Sequence, residues 1–123
     1  ENGKYIVSVI RANKTEASAV GVRMTLSTRL KGEVVERAES GPGQSLAAGS
    51  TSYFGLNVST VVFDELLDGP EDRRNGLEWS LAYRLESDAP GVTRCFRLRA
   101  LPRRRAPEGL TWLPLGESHK CEP

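Results

Sequence analysis

No stretch of this chain approaches the roughly 18 apolar residues that a membrane-spanning helix needs, and no basic-then-apolar segment opens it. The first residues, Glu1-Asn2-Gly3, read as those of a processed or trimmed product, so the compartment stays open. Net charge is also missing. Seventeen basic and sixteen acidic residues leave +1, which excludes a global field for indiscriminate nucleic-acid binding. Histidine is reduced to His119 in the C-terminal stretch, where a Ser-His-Asp arrangement of base, nucleophile and orienting acid is not expected. With two cysteines beside that one histidine, a four-ligand zinc site cannot close without recruiting carboxylates. Gly41-Pro42-Gly43 lacks the lysine and helix that make a phosphate loop, and no other cofactor motif is present. The adjacent pairs Asp64-Glu65 and Glu71-Asp72 sit near turns and read as solvated acids rather than a glycosidase pair.

What the chain has instead is alternation. Leu77, Trp79, Leu81, Tyr83 and Leu85 alternate with Glu78, Ser80, Ala82, Arg84 and Glu86, the two-residue period of a half-buried strand. Ser87-Asp88-Ala89-Pro90-Gly91 supplies turn formers, and a second alternation places Val92, Phe96, Leu98 and Ala100 on one face. The pair predicts a long hairpin whose apolar face needs a second layer. Earlier strands are predicted at Tyr5 to Arg11, from Val20 through Leu26, at Glu33 to Ala38 as an edge, and at Thr51 to Thr60. In the second of these, Gly21, Arg23, Thr25 and Ser27 face away from Val20, Val22, Met24 and Leu26. Phe63, Leu66 and Leu67 are spaced for one or two helical turns over 61–67, and Asp68 to Gly76 reads as a mobile charged connection. The fold expected is a single all-β domain, an antiparallel β-sandwich of about seven strands over residues 1–101. An irregular Pro- and Arg-rich tail, 102–123, packs down on it.

Three features bear on function. Cys95 shares the outward face of its strand with Arg97 and Arg99, and Cys121 lies within reach, so a disulfide is expected to fasten the tail across that face. The sequons Asn13-Lys14-Thr15 and Asn57-Val58-Ser59 make Asn13 and Asn57 glycosylation candidates. Both features push the expected setting toward an extracytoplasmic one. Arg97, Arg99, Arg103, Arg104 and Arg105 form the candidate binding edge, with guanidinium groups suited to carboxylate, sulfate or phosphate. The lack of interleaved aromatics argues against nucleic acid and for an acidic protein or sulfated glycan.

The order of these pieces resembles a known architecture. Tyr5 to Asn13, then Val22-Arg23-Met24-Thr25-Leu26, Gly32-Glu33-Val34-Val35 and Leu46-Ala47-Ala48-Gly49-Ser50-Thr51, resemble immunoglobulin-like or fibronectin type III-like modules. The last turn, with Phe63-Asp64-Glu65-Leu66-Leu67 after it, is also similar to the water-stress (LEA14-type) sandwich, although Asn13-Lys14-Thr15 replaces that family's Asn-Pro-Asn. These resemblances imply adhesion, binding or protection rather than catalysis. The alternatives are a protectant without a specific partner and a small enzyme without a recognisable motif.

Overall fold

The computed structural model describes residues 3–40, 43–105, 107 and 109–121. Two antiparallel layers face each other. β1 (Lys4–Ala12) pairs with β5 (Thr51–Ser59) as one layer. The second is a six-stranded sheet whose main path runs from β3 (Glu33–Glu39) through β2 (Ala19–Leu30), β6 (Gly76–Leu85) and β7 (Arg94–Arg104) to β8 (Leu110–Ser118). A short β4 (Gln44–Leu46) pairs with the start of β2. The inward residues of the layers make the core: Val7, Phe54, Leu56 and Val58 from one, Met24, Leu26, Leu77, Trp79 and Leu81 from the other. The β6–β7 hairpin is therefore central, with Leu77 opposite Ala100 and Tyr83 opposite Arg94.

The helix α1 (Thr60–Asp68) falls where the spacing predicts it, burying Phe63 and Leu66. Ser59 makes no side-chain cap to it. Nearby amides are met from elsewhere: Ser59 N–H donates to the Glu36 carboxylate at 2.9 Å and Thr60 N–H to the Gly3 carbonyl at 2.9 Å. Lys31 and Gly32, both at positive φ (55° and 87°), form the two-residue turn between β2 and β3. Asn75 locks that turn, its buried Oδ1 accepting from Lys31 N–H at 2.6 Å. The connection 69–75 is thus tied to the sheet by Asn75 and by Gly32 N–H on the Arg74 carbonyl, and braced within itself by Arg74 on Asp72, rather than free as its composition suggests. Gly76 is required there, because a Cβ would stand 2.9 Å from the Ala100 carbonyl oxygen.

The expected irregular tail at 102–123 is corrected by two observations. β7 continues to Arg104, and Leu110–Ser118 form the edge strand β8. Prolines mislead here because each sits where a strand tolerates it. Pro102 lies beyond the last β6 partner, and Pro114 lies next to a register shift opposite Arg99 and Ala100. Trp112 of β8 then joins an edge-to-face aromatic series, 5.3 Å from Trp79 and 6.2 Å from Phe63, with Tyr5 a further 5.2 Å beyond Phe63. Of the expected break at Gly41-Pro42-Gly43, the first two residues lie outside the described residues.

Candidate functional site on the outer sheet face

Residues opposite one another in a ladder share a face, so the register sorts the polar side chains of the large sheet. One row across the outer face reads Arg37, Ser27, Glu78, Arg99; the next reads Thr25, Ser80, Arg97; a third reads Arg23, Ala82, Cys95. Glu39 stands opposite Thr25 at the edge. Arg29 joins them past a register shift in β2, placing Nε 3.0 Å from Glu78. Between these rows is a hollow of about 340 Å³. Among its described lining residues, four are arginines (Arg23, Arg29, Arg37, Arg97) and the only carboxylate is Glu78. Ser27, Thr25 and Ser80 add hydroxyls to its floor.

Glu78 organises the floor. It is 4% exposed, takes Nε of Arg97 at 2.9 Å, and makes a second contact with the same guanidinium besides the one with Arg29. Burial pushes its carboxyl up, but the hydrogen bonds from Arg97 and Arg29 outweigh that and hold it below the usual value. One negative charge is thereby shared by two positive ones. Arg23 and Arg37 have no acidic partner among the described residues, and both are exposed. The hollow keeps an excess of positive charge.

The disulfide expected between Cys95 and Cys121 has its sulfur atoms 2.13 Å apart, and both cysteines line the hollow. The segment that carries Cys121 is thereby fastened beside it.

The five arginines of the candidate edge divide into two groups. Arg97 and Arg99 lie on the outer face, the first on Glu78 and the second donating Nη2 to the Arg73 carbonyl at 2.6 Å. Arg103 and Arg104 lie by the end of α1, and Arg105 follows them. Arg103 donates Nη1 to the carbonyls of Leu67 and Gly69 at 3.3 and 2.7 Å, Arg104 pairs with Asp68 at 2.9 Å, and Arg105 is exposed. Arg94, at the hairpin turn, pairs with Asp88 at 2.8 Å, a hydrogen bond that lowers the Asp88 pKa. The structure thus adds Arg23, Arg29 and Arg37 to Arg97. The outward direction of Arg23 is readable from β2, but not those of Arg29 and Arg37, nor the adjacency of the three to β6 and β7.

Asn13 is buried, with both Nδ2 hydrogens donated, to the Ala17 and Leu46 carbonyls at 2.9 Å each, and Oδ1 accepting from Thr15. A sugar there would displace one of those bonds. Asn57 lies exposed on the outward face of β5, opposite Ile6. His119 packs against Phe96 with ring centres 5.4 Å apart. Among the described residues no three His, Cys, Asp or Glu side chains gather as metal ligands would. No protein-family model, curated protein or solved structure matches the chain.

Proposed function

We propose that the chain is a non-enzymatic binding module, working outside the cytoplasm, which receives an acidic macromolecule on the outer face of its large sheet. The observation that carries this reading is the hollow with four guanidinium groups around one buried carboxylate. Guanidinium groups stay charged at any physiological pH and present forked donors to carboxylate or sulfate, but supply neither a base nor a nucleophile. Such chemistry suits recognition. Arg23 and Arg37 are the residues for direct contact, since the fold does not use their charge, whereas Arg97 is positioned by Glu78 and stiffens the floor. Arg103 is assigned to holding the end of α1, and Arg104 to an exposed pair with Asp68. The Cys95–Cys121 bond supports an oxidising compartment, and exposed Asn57 supports a glycan acceptor on the opposite layer.

Capture from an extracytoplasmic fraction tests the reading, with wild type and the Arg23→Ser/Arg37→Ser variant as baits. An acidic partner recovered by the wild type and lost with the double variant supports it. Equal recovery by both moves the contact elsewhere.

A further inference from the structure

A second hollow, unrelated to the arginine face, opens between the two layers where β1 ends. It encloses about 120 Å³. Its inner wall is apolar, made by buried Ala19, Val22 and Leu81 together with the Phe96 ring. Arg11, Lys14 and His119 also line it, and its described lining includes no Asp or Glu.

Arg11 is the unusual member. Its guanidinium carbon lies 4.3 Å from the centre of the Phe96 ring, so the cation is held by an aromatic face rather than by a counter-ion. Its buried Nε has no hydrogen-bond partner, and no described residue accepts from its other nitrogens. Nε is closed off from solvent and so from a ligand, whereas the terminal nitrogens, open to solvent and without an acceptor among the described residues, are the charged donors free to take one. The neighbouring amide of Asn13 cannot supply it, since that side chain is committed to Ala17, Leu46 and Thr15. The site therefore combines an apolar pocket with a cationic mouth.

We propose that this hollow binds a small organic carboxylate, its hydrocarbon body against Ala19, Val22, Leu81 and Phe96 and its carboxylate on Arg11, with Lys14 adding charge at the rim. Size sets the body. A closed apolar cavity of about 150 Å³ accepts benzene, so this slightly smaller hollow, open on one side, suits roughly four to six carbon atoms. A planar carboxylate matches the fork of Arg11, and the absence of an acid in the lining leaves the pair uncontested.

Titration of the full chain with hexanoate, hexan-1-ol and acetate, followed by backbone amide shifts, tests this. Hexanoate should saturate in the millimolar range or below, shifting the amides of Phe96, Leu81 and Lys14, while hexan-1-ol and acetate bind about tenfold weaker or worse. Arg11→Gln should weaken hexanoate by about tenfold and leave hexan-1-ol unchanged. Lys14→Gln, at an exposed position, should weaken hexanoate by a smaller factor without altering the fold, and so keeps the test open if Arg11→Gln unfolds. Arg23→Ser/Arg37→Ser should bind hexanoate like the wild type. Equal affinity for hexanoate and hexan-1-ol, shifts confined to the outer sheet face, or no saturable shift would each overturn the assignment.

Discussion

Glu78 and Asn13 are the two polar side chains whose loss the fold should feel most, and for different reasons. Glu78→Gln keeps the shape of the side chain while leaving Arg29 and Arg97 side by side without a counter-charge. Breaking a fully buried pair from one side costs about 3–5 kcal/mol. The Arg29 and Arg97 side chains are 31% and 20% exposed, so water recovers part of this, and urea unfolding should register a loss of about 2 kcal/mol. Asn13→Ala removes both donors and the acceptor that join Ala17, Leu46 and Thr15 across the start of β2. The Leu46 carbonyl then loses its side-chain donor while that of Ala17 keeps Thr15 Oγ1 at 2.8 Å, so roughly 1–2 kcal/mol should be lost by the same measurement. Neither role is readable from sequence. Glu78 sits at an outward position of an alternating strand, where exposure is the ordinary expectation, and it is buried because arginines from β2 and β7 close over it.

Among the elements, α1 depends most on a residue outside itself. Its last turn contains no basic residue, and Arg103 of β7 supplies the missing donors to the carbonyls of Leu67 and Gly69. Arg103→Met retains the aliphatic stem but removes those donors, and should lower stability by about 1–2 kcal/mol in thermal unfolding. Arg104→Met, which breaks only the exposed pair with Asp68, should leave the midpoint unchanged. Elements with strict alternation were legible from sequence: β1, β2, β5 and the β6–β7 hairpin occupy their expected places, and α1 follows its i, i+3, i+4 spacing. β4 was not legible because three residues carry no period. β8 was hidden because Pro114 and Gly116 resemble breakers until the register shift that accommodates them is seen. The site was half legible for the same kind of reason. Alternation shows which way Arg23 and Arg97 point but not Arg37, whose strand has no clear period, and only the strand order β3-β2-β6-β7 brings them together.

At the scale of the whole molecule, the acid limb of stability follows from the paired carboxylates. Hydrogen bonds from Arg74 draw Asp72 down to about 2 and those from Arg94 lower Asp88, whereas the Asp68–Arg104 pair is exposed and screened by solvent and adds nothing measurable. In Glu78 the pull of Arg97 and Arg29 exceeds the opposing effect of burial. Each folded pKa lies below its unfolded value, so as pH falls the unfolded chain takes up protons first and stability drops. The thermal midpoint should be level from about pH 7 to 5 and decline between about pH 4 and 2. A midpoint that rose on acidification would contradict these pairings.

Whether the outer sheet face receives acidic macromolecules is decided by salt-dependent binding to an immobilised sulfated polysaccharide and to poly-glutamate. Wild type, Arg23→Ser/Arg37→Ser and Arg104→Ser/Arg105→Ser should be compared on both. Because charge contacts at a solvent-exposed face are screened over about 8–10 Å, wild-type binding to at least one polyanion should weaken steadily with salt. The Arg23/Arg37 variant should release at distinctly lower salt, and the Arg104/Arg105 variant should follow the wild type. A wild type retained by neither polyanion at low salt, or an Arg23/Arg37 variant retained as firmly as the wild type, would contradict the claim.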